Sequence, residues 1–223
     1  MLNKENNIFW LIVSSIICLL PIILSLVVYD NLPEQMVKQW DLQGNPTSYA
    51  HKSINAFGFP IFCFIINLVV RLGILSDPKR RNHSKIIQTV AFWIIPLISI
   101  IFTPMMIYSA LEDKAPDGSL ILLIIGIIWI FIGNYFSKIR QNYTMGIKLP
   151  WTLHDADNWN KTHKLAGYIM VLCGLLFIFM AITPLSHTNQ IILILLIVFS
   201  MTVVPIVYSY SQYVKSQKKE SDQ

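Results

Sequence analysis

The sequence predicts an all-α fold: a polytopic membrane bundle of six transmembrane helices with both termini in the cytosol. Three observations predict it. Of 223 residues, 54% are hydrophobic and 13% are charged. The apolar residues gather into six long runs without strict alternation. Lysine and arginine crowd into every second gap between those runs. An α-helix rises ~1.5 Å per residue, so about 20 apolar residues cross a hydrocarbon core of ~30 Å. Only helices and closed barrels satisfy their backbone polar groups in lipid, and unbroken runs of this length read as helices.

The runs extend from Ile8 to Tyr29, Ile54 to Leu75, Ile86 to Ala110, Leu120 to Ser137, Leu165 to Thr183 and Ile191 to Tyr213. The first is too long for the apolar region of a signal peptide. Its flank carries only Lys4 against Glu5, and no small-x-small cleavage site follows. The connecting segments are too short to fold alone, so a single domain over residues 1–223 is expected. Pro21, Pro60 and Pro205 are expected to kink their spans. Pro96 and Pro104 should bend the third, with Ser99 and Thr103 as local hydrogen-bonding partners. Cys18, Cys63 and Cys173 all fall inside spans, at spacings that suit neither a metal site nor a disulfide framework.

Charge placement sets the expected orientation. With the amino terminus inside, 14 of the 17 basic residues, Arg71 included, lie on the inner side. Only Lys38, Lys52 and Lys114 lie outside, and a positive inner face predicts cytosolic termini. The basic segments meet anionic headgroups, so no direct nucleic-acid binding is expected. Arg71 is expected to snorkel to the inner headgroups, supported by Asn67 one turn earlier.

Two segments hold most of the sequence's information. The outer loop, residues 30–53, carries the turn formers Pro33, Gly44, Asn45 and Pro46. A short helix is expected to start near Asp30–Gln35, with Trp40 and Tyr49 in the headgroup layer. The inner loop, residues 138–164, turns at Gly146 and Pro150. Thr152 followed by Asp155 suggests a capping box and a helix start near Leu153. That helix should lie along the membrane surface or run into span five. Asp157 and Lys161 can pair at i, i+4, and Trp159 and His163 share a face. Trp151 and Trp159 read as interfacial anchors. Asn134 should tie the loop to the bundle through Tyr135, Arg140 or a backbone carbonyl. Gly126 with Gly133, and Gly167 with Gly174, each place two small residues on one face. Spans four and five are therefore expected to pack closely.

No catalytic residue, metal site or cofactor is expected. His154 and His163 are nine positions apart and point about 180° from each other on a helix, and Asp155 and Asp157 also diverge. Zinc-binding helical pairs need i, i+4 spacing.

The run Gly133-Asn134-Tyr135, Lys138, Arg140, Asn142-Tyr143, Gly146 to Leu153, Trp159, Lys161-Thr162-His163 and Gly167 resembles the SdpI family of bacterial membrane proteins. That family is named for immunity to a secreted sporulation-delaying toxin. In the first loop, Leu32-Pro33-Glu34-Gln35, Trp40, Gly44, Asn45-Pro46, Tyr49-Ala50, Lys52 and Pro60 resemble the external module that commonly begins such proteins. Lys148-Leu149 stands where the family usually has Arg-Thr. Val37 and Gln39 stand where the module usually has Pro and His. The resemblance implies a six-span membrane protein without enzymatic activity, facing two partners. One is an extracellular toxin peptide and the other a small cytosolic winged-helix autorepressor.

The binding residues expected on this reading are Trp40, Gly44, Tyr49 and Lys52 outside. Inside they are Asn134, Arg140, Asn142, Tyr143, Gly146, Lys148, Pro150, Trp151, Thr152, Trp159 and His163. The alternatives are a small-solute or ion transporter and a non-catalytic accessory membrane subunit. Against the transporter stands the lack of an ionisable residue at the centre of any run.

Overall fold

A computed structural model of the chain describes residues 4–41, 45–79 and 85–221. Gly44, Arg80 and Arg81 lie outside the described residues. Eight α-helices account for most of what is described: α1 Lys4–Leu19, α2 Pro21–Val28, α3 Phe59–Ser76, α4 Lys85–Glu112, α5 Gly118–Phe136, α6 Pro150–His154, α7 Ala156–Ile182 and α8 His187–Ser221. Among the described residues, six helical segments are long and apolar enough to span a membrane. They are Ile8–Asn31, Ile54–Ser76, Gln88–Glu112, Gly118–Phe136, Ala156–Ile182 and His187–Lys218. The six predicted spans are thus all present. The chain divides into two compact units, Met1–Leu75 with Gln88–Asp117, and Ser76–Ile87 with Gly118–Gln223.

In the first unit, Pro21 separates α1 from α2 because it has no N–H to continue the helical ladder. The carbonyl of Pro21 accepts a bond from Ser25 Oγ at 3.3 Å. The same hydroxyl proton is shared with the nearer Ala56 carbonyl at 2.7 Å, which joins α2 to the π-helical turn that opens the second span. Pro96 and Pro104 leave α4 a single helix, as Pro205 does α8. Ser99 does not serve as a local partner within α4. It donates across to the Cys18 carbonyl at 2.7 Å, and Thr103 Oγ1 is buried without a hydrogen-bond partner among the described residues.

The outer loop contains structure that the sequence reading did not anticipate. The expected helix near Asp30 is only a 3-10 turn, Tyr29–Asn31. The chain then forms an antiparallel hairpin of β1 Gln35–Trp40 and β2 Pro46–His51. Its register pairs Gln35 with His51 and Val37 with Tyr49, and shifts on either side of Gln39. Asp41 closes the turn by accepting from Asn45 N at 2.7 Å and Asn45 Nδ2 at 3.0 Å. Met36 and Leu32 are buried with Ala56 and Ile107, and Asn55 Nδ2 donates to the Met36 carbonyl at 3.2 Å. A lone hairpin is marginal in water, and this apolar anchor is what holds it.

In the second unit, α5 and α7 approach through their glycines, as the paired spacing predicts. A Cβ built on Gly133 would lie 2.7 Å from the Gly167 carbonyl oxygen, and one on Gly126 would lie 2.7 Å from that of Gly174. No side chain fits at those four points. Helices α7 and α8 pack through Cys173, Phe177, Met180 and Ile197. Helix α7 is 27 residues long, or ~40 Å, so its polar first turns extend beyond a ~30 Å apolar core.

Candidate functional site

The segment between α5 and α7 is tied into a polar knot at one end of the second unit. Asn142, fully buried, shapes its first half. Its Oδ1 accepts from Thr144 N at 2.9 Å and Met145 N at 2.7 Å, while Nδ2 donates to the Arg140 carbonyl at 2.8 Å. One side chain thereby satisfies backbone groups that no helix serves. Asp77 grips the same loop. Its carboxylate accepts from Lys79 N at 2.7 Å, Tyr143 N at 3.0 Å and Thr144 Oγ1 at 2.6 Å. Lys79 Nζ donates to Gln141 Oε1 at 3.0 Å and lies 4.9 Å from the Tyr143 ring centroid. Gln141 Nε2 reaches the carbonyls of Thr152 and Leu153, both at 2.9 Å.

The second half closes on Trp159 and His163, whose rings stack 4.0 Å apart one turn from each other on α7. Phe136 stacks on the other side of His163 at 5.1 Å. His163 Nε2 accepts from Ile147 N at 2.9 Å, and its Nδ1 faces the Trp159 carbonyl at 2.8 Å. A carbonyl oxygen can only accept and a backbone N–H can only donate. The ring is therefore the neutral tautomer with its proton on Nδ1. Gly146, at φ +106°, sits against this ring, and a Cβ there would collide with His163 Nε2. Trp159 Nε1 donates to the Ile139 carbonyl at 2.8 Å.

Thr152 does not cap the helix that follows it. Its hydroxyl accepts from Leu149 N at 2.9 Å and faces the Ile147 carbonyl at 2.9 Å, which secures the short α6. Asp155 caps α7 instead, accepting from Asp157 N at 2.8 Å and Asn158 N at 3.1 Å. The helix thus starts at Ala156 and runs directly into span five, one of the two courses expected for it. Asp157 and Lys161 pair at 2.6 Å, as their spacing predicts. Helix α8 joins the knot through Ser209. Asn158 Nδ2 donates to its carbonyl at 3.0 Å, and Trp151 Nε1 to its hydroxyl at 2.8 Å. Ser209 Oγ in turn donates to Asn158 Oδ1 at 2.9 Å. Trp151 also packs against Tyr210 and Tyr213.

The expected inner residues therefore separate into two groups. Asn142, Thr152, Trp159 and His163 are buried, and with Gly146 they form the knot's interior. Trp159 is 0% exposed, so it is a packed core residue and not an interfacial anchor. Arg140, Tyr143, Lys148 and Pro150 are exposed over that interior, and Trp151 is half-buried at its edge. Asn134 is exposed, and the loop is tied down by Asn142 instead. Asp77, Gln141, Asn158 and Ser209 were missed. Only Asp77 left a signal, as the one acid within the basic run from Lys79 to Lys85 and its flank.

At the hairpin, Tyr49 is 56% exposed and Trp40 half-buried. Lys52 Nζ pairs with Glu34 at 3.0 Å and lies 4.7 Å from the Tyr29 ring centroid. His51 Nε2 is 3.2 Å from the same carboxylate. The Lys52 hydrogen bond and charge hold the Glu34 carboxyl below its ordinary value, with a smaller contribution from His51. Arg71 does not snorkel. It is 2% exposed and packed inside the first unit. Among the described residues, no group of three or more His, Cys, Asp or Glu side chains is placed to hold a metal ion.

Known proteins resemble the chain in both segments. Residues 16–64, which contain the hairpin, match a domain of unknown function (DUF1648). Over 205 residues the chain is 26% identical to the immunity protein SdpI of Bacillus subtilis (strain 168), a match covering 92% of this chain and 96% of that protein. No solved structure matches. Residues 138–209 match the SdpI/YfhL protein family, an interval that runs from the loop's first lysine to Ser209, so the family likeness read from the sequence falls on the polar knot itself.

Proposed function

We propose that the chain is a membrane immunity protein that protects its cell from a secreted, membrane-active peptide. The observation that carries this reading is the likeness to an immunity protein along nearly the whole of both chains. A shared motif alone would support less. The basic residues favour cytosolic termini, which turns the hairpin outward and the knot inward. On this reading the peptide meets the hairpin near Trp40, Tyr49 and Lys52. The knot presents Arg140, Tyr143 and Lys148 to a cytosolic winged-helix repressor. For the peptide to signal, it must bind one of two arrangements of the protein more tightly than the other, since equal binding shifts nothing.

The test is survival. The chain is expressed in a bacterium sensitive to secreted membrane-active peptides and challenged with a panel of them. Protection against at least one is expected, and no gain in survival against any would remove the immunity reading. The signalling arm is separate. Reversing charge at Arg140 and Lys148 should abolish membrane recruitment of a fluorescently tagged repressor while leaving protection intact. Both side chains are exposed, and Lys148 Nζ makes a surface hydrogen bond to the Thr144 carbonyl at 3.2 Å, so thermal unfolding of the variant is compared with wild type in the same experiment.

A further inference from the structure

Arg71 lies on α3 five residues before the helix ends at Ser76, ~7.5 Å along its axis. Its Nη2 donates to the Trp10 carbonyl at 2.8 Å and to Ser14 Oγ at 3.0 Å, both on α1. The guanidinium carbon lies 3.6 Å from the centroid of the Phe92 ring on α4. Nε is buried and has no hydrogen-bond partner among the described residues. Asn67, one turn earlier, sends its amide to Ser14 Oγ at 3.1 Å and Ser15 Oγ at 3.4 Å. Ser14 is fully committed, because its hydroxyl accepts from both neighbours and donates to the Leu11 carbonyl at 3.1 Å.

This cluster is rich in donors and poor in acceptors. A guanidinium brings five N–H donors and an amide two more, while the cluster's oxygens are few and already engaged. It also carries a full positive charge in a low-dielectric place, which is costly unless an anion is near. Glu34 and Glu112, the glutamates of this unit whose ion pairs are described, pair elsewhere, with Lys52 and Lys114. An ionisable group held within a membrane helix marks a functional position, with a partner to be found. The chemistry missing here is that of an acceptor-only, negatively charged group.

We propose that Arg71, with Asn67, forms an oxyanion site at this end of the first unit, and that its ligand is a phosphate group. The oxygen completes Nε, and the ring of Phe92 covers one face of the guanidinium. Two sources share this chemistry: the headgroup of an anionic phospholipid and free phosphate.

The test titrates the purified full chain, in neutral detergent, with phosphatidylglycerol, diacylglycerol (which lacks the phosphate) or inorganic phosphate, and follows thermal unfolding and native mass spectra. Phosphatidylglycerol is expected to raise the unfolding temperature saturably and to remain bound at one molecule per chain. A rise with inorganic phosphate as well would assign the site to the free ion. Equal response to diacylglycerol, or none to either anion, would overturn the proposal. That wild-type result stands whether or not a variant folds. Arg71→Gln should abolish the selective shift, and Arg71→Lys should weaken it, since an ammonium lacks the planar donor edge. Lys215→Gln, on α8, controls for general surface charge and should leave it unchanged. Glu5→Gln provides the last arm. If it destabilises the chain as much as Arg71→Gln and the anion effect is absent, the counter-charge is internal and the site is lost as a proposal.

Discussion

A φ of +106° and a side-chain neighbour in the path of any Cβ make Gly146 the residue on which the knot closes. Gly146→Ala must both adopt a left-handed backbone and push His163 from its stack, which should cost about 2–4 kcal/mol by the usual sizes of backbone strain and overpacking. Thermal unfolding of the purified variant checks this, and a stability within about 0.5 kcal/mol of wild type, the range of an ordinary surface change, would contradict it. Residues like Gly146 show what a sequence can reveal at this scale. The turn at Gly146 and the shared face of Trp159 and His163 are local facts, readable from composition and helical spacing. The roles of Asn142 and Thr152 were not readable as scaffolding. A polar residue in a loop looks the same whether it faces water or the backbone of its own loop. Asp77 is harder still, because its partner Thr144 stands 67 positions away. Arg71 was misread for a related reason. Its place near a span end fits snorkelling equally well, and only its contacts with Trp10 and Ser14 put it inside.

Among the elements, the helices were legible and the hairpin was not. Long apolar runs announce spans because lipid leaves the backbone few alternatives. The strands are six residues each, partly polar, and bulged about Gln39, which breaks the alternation that would have marked them. Close contact between α5 and α7 could be foreseen from glycine spacing, and it yields a sharp prediction. Gly133→Leu or Gly174→Leu places a branched side chain where even a Cβ lies within 2.7 Å of a carbonyl oxygen. Each should cost more than the ~1–3 kcal/mol of ordinary overpacking and abolish disulfide crosslinking between cysteines engineered into the two helices. Undiminished crosslinking would show that the helices do not rely on this contact. The hairpin permits a pH prediction. The Glu34 carboxyl is held below its ordinary 4.5, so its pair with Lys52 stabilises the hairpin above that value and fades as pH falls through the lowered one. Protection of the backbone amides of residues 35–40 and 46–51, each exchange rate being divided by the intrinsic rate at that pH, should be weaker at acid pH than at neutral pH. Glu34→Gln should remove that difference, and a difference that survived would have another origin.

For the whole molecule, orientation is the property on which the functional reading turns. Lipid accepts a bundle of six apolar helices either way up, so packing inside the units does not choose. The choice rests on 14 basic residues set against 3 on alternate sides, and flanking charge biases insertion through each short loop. A fluorescent protein fused after Gln223 should therefore fluoresce, and alkaline phosphatase fused there should be inactive. Phosphatase inserted between Trp40 and Pro46 should be active. Reversed activity at both positions would carry the hairpin into the cytosol and the knot outside. The peptide and repressor would then meet the wrong faces, and the signalling proposal would fall even if protection remained. The polarity of the two ends argues for the expected result. The connections expected outside carry Asp30, Glu34, Asp41, Glu112, Asp113 and Asp117 among few lysines. The knot's surface, by contrast, presents Lys138, Arg140, Lys148 and Lys164. Moving that basic face across the membrane against its potential would cost about 2.3 kcal/mol per charge for each 100 mV.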